Sequence, residues 1–197
     1  MLFRSGKYMR LWTVQPKDLY EKLLKEKVVR CRIEFSEWVN EPNFRKAYDW
    51  MVWQMEQRIG KAPEGVQYPI WAWHTLAGKN KKPDLRGTEF RYHTGEQVCI
   101  ELEIPEHEVL LSDEGDWHIV LNDSYCASDT ENFDNEYEWF DSLSDEEKEI
   151  VKRKSWEQIF DVIHEDGTTT MYIQATFWEL RLEYVKNVRF FKGRLRQ

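Results

Sequence analysis

The residues best equipped for chemistry lie in one short stretch, Tyr68-Pro69-Ile70-Trp71-Ala72-Trp73-His74, continued by Lys79, Lys81, Lys82, Asp84 and Arg86. Flat aromatic faces can stack on a nucleobase or a nicotinamide, and the neighbouring cations can meet phosphates. The same pattern also fits core aromatics beside a solvated basic loop, with Asp84 and Arg86 as a local ion pair. Glu101 and Glu103 lie two apart, so a strand would place both on one face. There, mutual repulsion could raise one pKa and make an acid/base pair, although a solvated sheet face is the simpler reading. His74, His93, His107, His118 and His164 share no metal-ligand spacing. Nucleophile-elbow, phosphate-loop and glycine-rich dinucleotide motifs are absent from the sequence.

Elements able to position these residues follow from the apolar periodicity. Arg10–Gln15 reads as a strand, and Pro16 opens a helix to about Lys27 carrying Leu19, Tyr20, Leu23 and Leu24. Residues 28–40 read as a connection. Asn40 is the expected cap of a second helix, with Pro42 in its first turn, an apolar face of Phe44, Tyr48, Met51, Val52, Met55 and Ile59, and Gly60 as its stop. The Tyr68–Leu76 run, bounded by Gly65 and Gly78, reads as a buried strand with Trp71 and Trp73 on one face. Gln97–Ile104 alternates as a half-buried strand: Val98, Ile100, Leu102 and Ile104 point inward, and Cys99, Glu101 and Glu103 outward. Val109–Leu111 precedes a helix over Asp116–Leu121 capped by Ser112 or Asp113. Ser144-x-x-Glu147 is a capping box opening a helix to about Phe160. Asp166-Gly167 is a turn, and Met171–Leu182 and Val185–Phe191 are strands.

Composition sets the frame. A chain of 197 residues suits one domain with a real core, rich in aromatics. We expect an α+β fold over residues 9–197, with residues 1–8 as an N-terminal extension (Met9 being an alternative start) and an acidic surface insertion over about 123–143. The first residues lack a signal-peptide pattern, and no apolar run could span a bilayer. Three scattered cysteines, Cys31, Cys99 and Cys126, suit a reducing cytoplasm. A net charge of −8 weighs against broad phosphate-driven nucleic-acid binding, though the Lys79–Arg86 loop and the basic tail from Lys186 leave room for a local patch.

In the runs Leu11-Trp12-Thr13-Val14-Gln15, Tyr68–Trp73, Lys82–Arg86, Glu101–Pro105, Leu110–Asp113, Trp117–Asn122 and Gln174–Trp178, the chain resembles a family of small, mostly bacterial domains of unknown function. The order of elements is, more distantly, similar to the ADP-ribosyltransferase-like fold, a split, mainly antiparallel sheet with flanking helices that holds NAD in its cleft. That similarity implies NAD as co-substrate and mono-ADP-ribosyl transfer to a protein or nucleic-acid acceptor, in a toxin or defence setting. It implies that Thr13 and Arg86 position ribose and pyrophosphate, that Tyr68 or Trp71 stacks on nicotinamide, and that Glu179 or Gln174 assists transfer. Thr13 stands where the fold usually carries His or Arg, and Thr176 stands where a glutamate is expected. A non-catalytic ligand- or protein-binding module of the same fold is the alternative, and a nucleic-acid binder is the third reading.

Overall fold

Pro16 closes one element and opens the next: its fixed φ of −56° suits the residue before a helix, and it has no N–H to leave unpaired. The computed structural model describes residues 7–31, 41–128, 132–164 and 167–193. Strand β1 (Tyr8–Pro16) leads into helix α1 (Lys17–Glu26), which ends on Lys27 with a left-handed φ of 66°. Strand β2 (Val28–Arg30) follows, then α2 (Pro42–Arg58), β3 (Ile70–Thr75), β4 (Gly95–Pro105), β5 (Leu110–Asp113) and α3 (Glu114–Leu121). Helices α4 (Phe133–Asp141) and α5 (Asp145–Ser155) precede β6 (Ile173–Phe177), β7 (Glu179–Arg181) and β8 (Val185–Gly193). No helix among the described residues is long and apolar enough to cross a membrane.

Six strands form an antiparallel sheet in the order β5-β6-β3-β1-β4-β8, and β2 pairs with β7 in a separate two-stranded ribbon. The fold is therefore α+β, as expected. β1 pairs with β4 along its whole length, from Tyr8↔Pro105 to Pro16↔Gln97. Against β3 it keeps one register pair, Trp12↔Trp73. One sheet face carries Leu11, Ile70, Ala72, Ile100, Leu102 and Ala175 into a core completed by Leu23 of α1, Val29 of β2 and Leu180 of β7. On the other side, Met51 and Met55 of α2, Trp117 and Val120 of α3, and Trp156 build a second core that Trp71 packs against.

Three sequence expectations change. Residues 28–40 carry no local strand pattern, so the connection expected there gives way at Val28–Arg30, which forms a strand by pairing with Glu179–Arg181. Residues 32–40, with the expected cap Asn40, lie outside the described residues; Glu41 is the extended residue before α2. The expected strand Met171–Leu182 is two strands separated at Trp178, whose indole N–H donates to the Gly60 carbonyl at 3.0 Å, and β7 leaves the main sheet for β2. Finally, β4 is buried on both faces. Cys99 and Glu101 are almost inaccessible. Arg189 of β8 donates to Cys99 Sγ at 3.3 Å and to the Pro83 carbonyl at 3.0 Å, tying the 83 loop to this face.

Other expectations hold. Asp113 caps α3 by accepting from the Asp116 amide at 2.9 Å. Ser144 and Glu147 form the reciprocal capping box of α5. Leu76 and Lys79 bridge across Ala77 (φ 49°) and Gly78 (φ 71°), and two consecutive positive φ values suit a tight hairpin turn. The acidic segment contains α4, which is fastened by aromatics: Tyr125 stacks on Phe140 at 4.4 Å, and the Tyr137 hydroxyl donates to the Tyr125 carbonyl at 2.8 Å. The expected turn at Asp166-Gly167 is described only from Gly167 onward, whose φ is 81°.

An ion cluster joins α2, α3 and α5. Lys46 and Lys152 each reach Asp123 at 2.8 Å, and Glu149 accepts from Lys46, Lys152 and Arg153 at 2.7–2.9 Å. Burial opposes ionisation of Glu149, but these hydrogen bonds outweigh it and hold its pKa at about 2; burial likewise opposes ionisation of Asp123, and its lysines prevail. Both carboxylates titrate lower folded than unfolded, so the unfolded chain binds more protons in between. The stabilisation is present above the ordinary carboxylate pKa and is lost as pH falls toward about 2. Thermal melts between pH 5 and pH 2.5 should show a steep loss of Tm that Glu149→Gln makes shallower; an unchanged slope in that variant would remove Glu149 from the account.

Candidate functional site

The sheet opens where β1 and β3 part company beyond Trp12↔Trp73. Across the gap, the Thr13 hydroxyl donates to the Trp71 carbonyl at 2.8 Å, in place of a continuing backbone ladder, and Gln15 Nε2 donates to Thr13 Oγ1 at 2.7 Å. A cleft of about 640 Å³ follows this split, within the size range of small-molecule sites. Trp12, Trp71 and Trp73 give it aromatic walls, while Thr13, Gln15 and Gln174 supply neutral polar groups. Lys22 and Arg30 bring positive charge from α1 and β2. Asp18 is the one carboxylate among the described lining residues, and its Oδ1 accepts from the Leu19 amide at 2.9 Å.

Three polar atoms in these walls have no hydrogen-bond partner among the described residues: Nε1 of Trp12, Nε1 of Trp71 and Oε1 of Gln174. Buried polar atoms are normally paired, because leaving one unsatisfied costs roughly 1–3 kcal/mol. All three atoms are themselves inaccessible, so they lie behind the cleft surface and do not face a ligand in it.

His93 also lines the cleft. It stacks near Phe90 at 6.2 Å, and burial pushes its pKa below the ordinary histidine value, favouring the neutral ring. Its backbone is held close to Gly193 at the end of β8, where a Cβ would lie 2.2 Å from the His93 carbonyl oxygen. Glycine at 193 is what permits that approach.

Of the residues proposed from sequence, Thr13, Trp71 and Gln174 meet in the cleft, although they come from β1, β3 and β6. Three others lie elsewhere. The Tyr68 hydroxyl donates to Asp49 Oδ1 at 2.7 Å, and its ring meets Tyr48 edge-on at 5.9 Å, so Tyr68 fastens β3 to α2. Arg86 is largely exposed and forms a two-pronged pair with Asp84 at 2.8–3.2 Å, the loop-holding role. Glu179 sits in β7, buried, with Oε1 accepting from Arg30 at 2.8 Å and Oε2 from Arg181 at 2.7 Å. The backbone turn at Trp178 carries it out of the main sheet, so it does not line the cleft. Glu101 and Glu103 do not act as a pair either: Arg10 binds Glu101, and Lys186 reaches Glu103 at 3.2 Å.

Arg30, Lys22, Gln15 and His93 line the cleft as well, without being among the site residues expected from sequence. Gln15 had a signal, being two residues from Thr13 and so on the same strand face. Arg30 had none, since its place depends on the β2–β7 pairing.

The fold and this cleft define an α+β domain whose antiparallel sheet is opened at its centre into a ligand-sized, tryptophan-walled site. A family model described as a domain of unknown function, DUF3841, matches residues 10–186, and the chain belongs to that family. Comparison with curated proteins and with solved structures returns no match.

Proposed function

We propose that the cleft between β1 and β3 is a binding site for NAD in a protein of ADP-ribosyltransferase-like architecture. The observation that carries this reading is the convergence of Thr13, Trp71 and Gln174, from three strands far apart in sequence, at the split of an antiparallel sheet. The cleft's composition fits such a ligand: tryptophan rings for the nicotinamide or adenine, the amides of Gln15 and Gln174 for ribose, and Lys22 and Arg30 for the phosphates.

The position on β6 that faces the cleft is Gln174, whose amide can hold ribose hydroxyls but brings no negative charge to a ribosyl carbon becoming positive. Glu179, the nearby carboxylate, is spent on Arg30 and Arg181. These two facts favour recognition of NAD over ribosyl transfer. The transferase reading requires Glu179 to leave both arginines.

A thermal-shift titration with NAD, followed by chromatography of the same sample for free nicotinamide, separates the readings. Saturating NAD should stabilise the fold, by about 2.7 kcal/mol at a hundredfold excess over Kd, with no nicotinamide released. Stabilisation with release would establish transferase or glycohydrolase chemistry. Absence of any shift, with a known NAD-binding enzyme responding in parallel, would remove NAD as the ligand.

A further inference from the structure

Arg30 is the half-exposed end of an ion-pair network that begins at the buried Glu179 of the ribbon. Glu179 is buried, yet it holds two guanidinium groups at once, Arg30 through Oε1 and Arg181 through Oε2. The two arginines differ in their surroundings. Arg181 faces further acids: Glu183 lies at 3.9 Å, and burial, which lowers its pKa, is outweighed by Glu179 and, to a smaller extent, by the carboxylate of Glu108, which accepts from the Tyr184 hydroxyl at 2.7 Å. Arg30 has Glu179 as the one acid paired to it among the described residues, and about half of its side chain is exposed where it lines the cleft. Its Nε and Nη2 both address Glu179 Oε1 at 2.8 Å, which leaves the rest of the guanidinium fork for another acceptor. Lys22, on the last turns of α1, lines the same cleft and has only a loose pair with Glu26 at 3.6 Å.

From this geometry we propose that Arg30, oriented by Glu179 and assisted by Lys22, is the anion-binding residue of the cleft, and that it selects ligands carrying a phosphate or pyrophosphate. The proposal deepens the NAD reading and rests on it for the identity of the whole ligand, but the anion site stands on its own residues. A fork whose orientation is set in advance loses little entropy on meeting a phosphate, and the charge-assisted bonds it makes are among the strong ones. Glu179 thereby becomes a positioning residue in place of the catalytic one implied by the resemblance. Arg86, which that resemblance placed on the pyrophosphate, is occupied by Asp84 on an exposed loop outside the cleft.

The test is calorimetric titration of the full chain with NAD, with inorganic pyrophosphate, and with nicotinamide riboside, which lacks phosphate. Arg30→Ala should weaken NAD and pyrophosphate about tenfold or more and leave nicotinamide riboside unchanged. Because Arg30→Ala removes one partner of a buried carboxylate, the double variant Arg30→Ala/Glu179→Gln provides a folded background free of that charge, and the same loss is expected there. Unchanged pyrophosphate and NAD affinity in both variants overturns the anion site and leaves the NAD cleft standing. Arg30-dependent pyrophosphate binding in a protein that ignores NAD supports the anion site and overturns the NAD reading. Equal losses for nicotinamide riboside and NAD also overturn the proposal, since they would show that Arg30 shapes the cleft without reading the anion.

Discussion

Trp71→Ala is expected to lower the unfolding free energy by about 3 kcal/mol and to weaken NAD binding by roughly tenfold to a hundredfold. Both effects come from one ring with two neighbours. On the protein side, Trp71 tilts against Trp117 at 4.9 Å and meets Tyr48 edge-on at 6.0 Å, while Tyr48 and Trp117 touch each other at 5.5 Å, closing a three-ring cluster. Removing one member opens a cavity that the two remaining rigid rings cannot fill. On the ligand side, the same residue forms part of the cleft wall, and stacking on a heterocycle is worth about 1–3 kcal/mol. Denaturant melts measure the first effect, and calorimetric titration at a temperature where both proteins are folded measures the second. Trp71→Phe should recover most of the stability and part of the affinity. NAD affinity unchanged by Trp71→Ala would mean that the ligand sits elsewhere, whatever the cost to stability.

The second large effect lies away from the cleft. Trp156→Ala should cost about 3–5 kcal/mol, which for a domain of this size lowers Tm by roughly 10 °C. Trp156 is fully buried at the start of a short 3-10 segment, packs edge-on against Trp50 at 5.4 Å, and donates its indole N–H to the Ser124 carbonyl at 2.8 Å. The ammonium groups of Lys46 and Lys152 each lie 5.9 Å from its ring, so the ion cluster described above rests on this indole. Alanine would remove packing, leave Ser124's carbonyl short of a donor, and loosen the platform under two lysines. Trp156→Phe should retain the packing and lose the hydrogen bond, giving a smaller drop. A Tm loss of less than about 3 °C for Trp156→Ala would show that α2 and α5 can close over the gap. Titration of the folded variant with NAD should give the parent affinity, which separates this scaffold effect from that of Trp71.

The contrast between these tryptophans shows the division of labour in the fold. The layer formed by α2, α3 and the 3-10 segment Trp156–Phe160 backs one side of β3 and packs against Trp71. The opposite face of the sheet, covered by α1 and the β2–β7 ribbon, supplies Lys22 and Arg30. Residues of both sets line the cleft beside β1.

Local physics made much of this readable in the sequence. Alternation in Gln97–Ile104 identified a strand and its core face, because side chains on a pleated strand repeat every two residues. Ser144-x-x-Glu147 and the pair Ser112/Asp113 marked helix starts, because the first amides of a helix need side-chain acceptors, and the structure assigns the second cap to Asp113. Tyr68–Leu76 was readable as a buried strand with Trp71 and Trp73 together, and membership in a family of unknown function was foreshadowed by the residues quoted for the resemblance. Tertiary structure decided the rest. Whether Cys99 and Glu101 met water depended on Arg10, Arg189 and the 83 loop, all distant in sequence. Glu179 left the main sheet because Trp178 found the Gly60 carbonyl and β7 found β2. Arg30 entered the cleft through that same pairing, whereas Arg86, closer in sequence to the aromatic strand, stayed with Asp84. Periodicity and capping are set by neighbours within a turn or two, so the sequence carries them openly. Which face a strand shows to a cleft, and which acid a given arginine meets, are set by contacts across the whole chain and became fixed only when the sheet closed.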